Sequence, residues 1–150
     1  MAQFQLGSIS TGTLLIEDIF PAYLDQLDKL SPNSPLSKEV WAYMETGALL
    51  EEHANAWGIV EQIDLLLNEL CPPFVYFGTL EGDGADFGFW PDMDRLNEEL
   101  HFASNVCGDK LIRDCACDDE NCDDGILVNV SDHGNVTVMD MERNVIWSVT

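Results

Sequence analysis

From Thr11 to Leu30 the apolar residues Ile16, Phe20, Tyr23, Leu27 and Leu30 return every three or four positions, with Asp25 and Asp28 between them. That is the spacing of one helix face. Glu17 and Asp18 suit the positive end of such a helix. Pro21 belongs near a first turn, so the helix is expected to begin near Glu17 or to bend at Pro21. Ser31-Pro32-Asn33-Ser34-Pro35 breaks the chain. A second helix is expected from Ser37, as N-cap, to Thr46, with Gly47 as C-cap. Between Ala48 and Leu70, Leu49, Ala56, Ile59, Val60, Ile63, Leu66, Leu67 and Leu70 predict the longest helix, with Glu51, Glu52, Asn55, Gln62 and Glu69 on its wet side. Cys71-Pro72-Pro73 ends it.

After Pro73 the period changes. Phe74-Val75-Tyr76-Phe77 and Phe87-Gly88-Phe89-Trp90 flank Glu81-Gly82-Asp83-Gly84, which reads as a β-hairpin. Met93, Leu96 and Leu100 place a short helix within Pro91 to Phe102. Residues 107 to 125 read as a connection. Beyond it, 126–130, 136–139 and 145–149 are β-branched runs, with Asp132-His133-Gly134-Asn135 turning between the first two. The class expected is α+β, with N-terminal helices packed on a C-terminal antiparallel sheet, a meander with hairpins. One domain is expected over 1–150, helical to residue 70 and mainly β from residue 74.

Charge changes this picture of an ordinary domain. Twenty-eight Asp and Glu face six Lys and Arg, a formal net charge of -22, while 46% hydrophobic residues supply a core. Hydrophobicity at that level argues against an acidic disordered tail. Up to Leu70 there are eleven acids and two bases, and after it seventeen and four, so the charge belongs to the body of the chain. Such a surface repels phosphate, which excludes direct nucleic-acid binding. The first residues lack a basic segment followed by an apolar run, and no stretch is long and apolar enough to span a bilayer. A cytoplasmic address with no membrane partner is expected, and the Asn129 and Asn135 sequons are read as chance.

Candidate chemistry is sparse. Cys107, Cys115, Cys117 and Cys122 are clustered, but gaps of seven, one and four residues do not make paired zinc knuckles. Counted from Asp119, a calcium loop would need Gly where Asp124 stands and Glu where Val130 stands. Asp86-Phe87-Gly88 lacks every other kinase motif. Ser131, Asp132 and His133 are adjacent on a turn and cannot form a proton relay. No catalytic residue, metal or cofactor is assigned, and no enzymatic activity is expected.

The blocks STGTLLIEDIFPAYLDQL, YFGTLEGDGADFGFWPD and VNVSDHGNVTVMD with IWSV resemble, in that order, an uncharacterised family of small acidic proteins carried by phages, plasmids and other mobile elements. Asp114 to Asp124 belongs to none of these blocks. Mobile elements of this size often encode inhibitors of host defence, so the resemblance suggests, by analogy, an anti-restriction or anti-CRISPR type of protein. The expected function is a DNA-mimic-like inhibitor binding the basic nucleic-acid site of a host protein. Its expected contact residues are Asp83, Asp86, Asp92 and Asp94, with Asp118, Asp119, Glu120, Asp123 and Asp124. One alternative is an interaction module using the aromatic hairpin around Tyr76, Phe77 and Trp90, with the charge serving solubility, as it also would in a salty host. The other is a metal-binding protein using the segment from Cys107 to Cys122.

Overall fold

The computed structural model describes residues 3–45, 53–113 and 125–150. Among these the chain is α+β, with four helices and eight strands in two antiparallel sheets, three- and five-stranded. It divides into two compact units, Gly7–Trp90 and the remainder, Met1–Leu6 with Pro91–Thr150.

The first unit begins with β1 (Gly7–Thr11), then α1 (Ile16–Leu30), α2 (Pro35–Glu45), α3 (His53–Glu69), β2 (Val75–Leu80) and β3, which runs from Asp83 to Pro91. The start of α1 at Ile16 matches the expected start near Glu17, and the residues from Gly7 to Thr11 before it form a strand. The Thr13 hydroxyl accepts from the Leu15 N–H and donates to Asp18, which orders the first turn of α1. Pro21 lies inside the helix, and α1 continues past it. Its buried residues Ile16, Ile19, Phe20, Tyr23, Leu24 and Leu27 face α3 and β1. On α3 the buried stripe is Ala56, Val60, Ile63 and Leu67.

The three strands are ordered β1-β3-β2. Tyr23 meets Phe77 and Phe87 edge-on, with ring centroids 4.8 and 5.8 Å apart, and Phe77 lies 4.9 Å from Phe89. Edge-to-face geometry is the favourable one for such rings. Side-chain alternation thus commits the Phe77 and Phe89 face to the helices. β1 runs antiparallel to β3, from Gly7 opposite Phe89 to Thr11 opposite Asp86. Gly88 makes this crossing possible: a Cβ there would overlap the Gly7 carbonyl oxygen and lie 2.9 Å from the Ser8 Cα. The expected hairpin is present, closed at Glu81-Gly82, where Gly82 takes a φ of 87°.

The second unit holds α4 (Met93–Phe102) and a sequential meander of β4 (Ser104–Val106), β5 (Asp109–Arg113), β6 (Gly125–Val130), β7 (Val136–Met139) and β8 (Val145–Val149). β4 and β5 fall in or beside the stretch expected to be a connection. They turn at Cys107-Gly108, both with positive φ (50° and 92°), the backbone of a type I′ hairpin. Leu111, Leu127 and Met139 are cross-strand partners in one buried cluster with Val106. On the opposite face, Val128, Val138 and Trp147 pair in register and are fully buried. Phe4 donates its N–H to the Ile146 carbonyl, so the N-terminal segment runs beside β8.

Candidate functional site

The acids expected to bind a partner are distributed over both units and the residues outside those described. Asp83 and Asp86 belong to the first unit, Asp92 and Asp94 to the second, and Asp118, Asp119, Glu120, Asp123 and Asp124 lie outside the described residues. Asp83 is exposed, and its Oδ1 accepts from the Ala85 N–H. Asp86 is half-buried, and its buried Oδ1 meets no hydrogen-bond donor among the described residues. Asp92 is the N-cap of α4 and accepts from the Arg95 N–H at 3.0 Å, so part of its anionic capacity holds a helix end. Asp94 is exposed in the first turn of that helix.

The charge is nevertheless spread through both units. The first carries fourteen acids against two bases, leaving -12, and the second fourteen against four, leaving -10. Some of the few cations are held by the fold's own carboxylates, Lys29 by Asp25 and Arg143 by Asp109. The rival aromatic surface loses a member, because Phe77 is 3% exposed and belongs to the core, while Tyr76 and Trp90 are half-buried. The Trp90 indole N–H donates to the Gly78 carbonyl.

The outer side of α3 is not uniformly polar. It carries Trp57, Glu61, Leu65 and Glu69, all exposed, at four-residue steps that keep them on one broad face. Leu65 is 65% exposed, against 0% for Ile63 and Leu67 beside it. The signal for it was present in the sequence as large apolar residues falling off the buried stripe.

No arrangement suited to nucleophilic chemistry appears among the described residues. Burial, reinforced by the Asp64 charge, pushes the Cys71 thiol up to about 11 and raises the Tyr23 phenol above its usual range. Burial also raises Asp64. A thiol held protonated at neutral pH is a poor nucleophile. The Ser131 hydroxyl accepts from the Asn135 N–H within the β6–β7 turn. No group of three or more metal-binding side chains exists among the described residues. Cys107 is exposed at its hairpin tip, and Cys115, Cys117 and Cys122 lie outside the described residues. Asn129, half of one sequon, donates its amide to Asp109 at 2.8 Å. A cavity of about 370 Å³ beside β8 is lined by Gln3, Phe4, Gln5, Leu6 and Ser148 and holds no titratable side chain. No described helix is long and apolar enough to cross a membrane.

No family model, curated protein or solved structure matches this chain.

Proposed function

We propose that this chain is a non-catalytic, acidic binding protein that occupies the basic nucleic-acid site of another protein, in the manner of a DNA mimic. The observation that carries the reading is the strong anionic excess of both parts of the sequence, near -12 over residues 7–90 and near -10 over the remainder. Self-repulsion of that size opposes compaction and is relieved when a cationic surface neutralises it. Duplex DNA presents about one charge per 1.7 Å of axis, so a groove lined by Lys and Arg to hold it also attracts a folded body studded with carboxylates. The proposed target is a cytoplasmic host defence protein of the restriction or CRISPR type. No cofactor is needed, because binding alone inhibits.

The test is competition. A purified restriction or CRISPR effector is incubated with labelled duplex DNA and increasing amounts of this protein, from 0.05 to about 0.5 M salt. The expected result is DNA displacement that weakens steeply with salt. D83K with D94K, both at exposed positions away from the core, should weaken displacement and flatten the salt dependence. Displacement indifferent to salt and to both reversals would overturn the reading.

A further inference from the structure

The outward face of α3 combines four features that folding alone does not explain. Trp57 and Leu65 are 43% and 65% exposed and lie eight residues apart, about 12 Å along the axis. Glu61 lies between them and Glu69 beyond Leu65, and α3 contains no Lys or Arg. Gly58 follows Trp57 and lies on the same line along the helix as Leu65, seven residues on, and around it a Cβ would meet nothing within 4 Å. Glycine inside a helix costs about 0.5–1 kcal/mol relative to alanine. Since Ala would fit there, the packing of the first unit does not require that glycine.

At 100° per residue, Gly58 and Leu65 point almost opposite to the buried stripe of Ala56, Val60, Ile63 and Leu67. The face thus offers two apolar anchors, a side-chain-free position in line with one of them, and carboxylates alternating with the anchors. Small residues at the centre of a helix surface let a second helix approach closely, and large apolar residues beside it fill the partner's grooves. We propose that α3 is the docking face for a cationic amphipathic helix of the partner protein, its apolar stripe seated on Trp57 and Leu65 and its Lys or Arg side chains against Glu61 and Glu69.

Charge selects this occupant. A second copy of the chain brings another -22, and an anionic membrane is repelled by the same carboxylates. The inference rests on the proposed cationic partner, but it needs no nucleic-acid site on that partner.

The experiment uses the full chain and an 18-residue Leu/Lys peptide of helical periodicity, beside a scrambled peptide of the same composition. Binding is followed by calorimetry and by the Trp emission. The wild type should bind the amphipathic peptide about tenfold more tightly than the scrambled one. W57S with L65S should abolish that preference while leaving the affinity for the scrambled peptide intact. G58A should stabilise the free protein yet weaken the amphipathic peptide several-fold, a pairing that a purely structural role for Gly58 does not produce. Equal affinity for the two peptides, or a preference that survives W57S with L65S, overturns the proposal. Failure of the DNA competition with the peptide preference intact removes the mimic reading alone.

Discussion

The Asn68 carboxamide meets both backbone groups of Phe77: its Nδ2 donates to the carbonyl and its Oδ1 accepts the N–H, each at 2.9 Å. β2 is one of the two edge strands of the three-stranded sheet, and an open edge invites pairing with other chains. One side chain from the end of α3 therefore completes the ladder at the residue whose ring packs on Tyr23. N68A should lower stability by about 2 kcal/mol, near 1 for each hydrogen bond. Urea unfolding reads the change, and N68A should also aggregate faster than wild type on partial denaturation.

Arg143 occupies a left-handed position, φ 66°, in the β7–β8 turn, where the equivalent β6–β7 turn has Gly134 at 83°. Both turns close the same way: the N–H of that residue donates to the residue three before it, Asp140 or Ser131. The arginine is held there by an ion pair of 2.7 Å to Asp109, whose side chain is 6% exposed. R143A should cost about 1–3 kcal/mol by removing the cation from the buried Oδ2 of Asp109, whose Oδ1 keeps the Asn129 amide. R143G removes the same cation but relieves the backbone by about 1 kcal/mol, so it should be the milder variant in urea titrations. Equal losses would mean the turn stores no strain.

Cys107 sits at the first position of a type I′ turn, where asparagine is the favoured residue. C107N should stabilise the chain by about 0.5–1 kcal/mol, because asparagine tolerates the left-handed region better. Thermal unfolding measures it. In the wild type, Cys107 should react with a thiol reagent at pH 8 well before Cys71, which is half-buried and held protonated.

Four groups give the stability a defined pH dependence; Tyr23, raised by burial and by the Asp64 charge, loses its contribution only above pH 10. Cys71, raised from 9.0 to about 11, contributes stability that is complete below pH 9 and is lost as pH climbs through 11. Asp64, raised by burial from 3.8, contributes only in acid and loses that contribution as pH rises through its folded value. Asp140, lowered mainly by the hydrogen bond from the Asn144 side chain, works the other way and weakens the fold as pH falls below 3.8. D64N should therefore be more stable than wild type at pH 7. C71A should flatten the decline between pH 9 and 10 and reduce it above pH 10, where Tyr23 still contributes. Urea midpoints across pH 3–11 check both, and an unchanged alkaline limb in C71A would contradict the Cys71 assignment.

Local pattern alone determined the α+β class, the buried stripe of Ala56, Val60, Ile63 and Leu67, the hairpin at Gly82 and the strands of β6, β7 and β8. These are segments whose own periodicity matches the surface they bury. It also determined the charge, which follows from counting. Tertiary structure decided the rest. Gly7-Ser8-Ile9-Ser10-Thr11 has no strong strand pattern and becomes β1 beside β3, where Gly88 leaves room for its backbone. The β4–β5 hairpin turns on Cys107-Gly108, which lacks the usual asparagine signal. The acids that look continuous from Asp83 to Asp94 in the chain are divided between two units, and Asp92 caps a helix. Charge can be summed along a chain, but a surface exists only where packing brings side chains from distant positions onto one face.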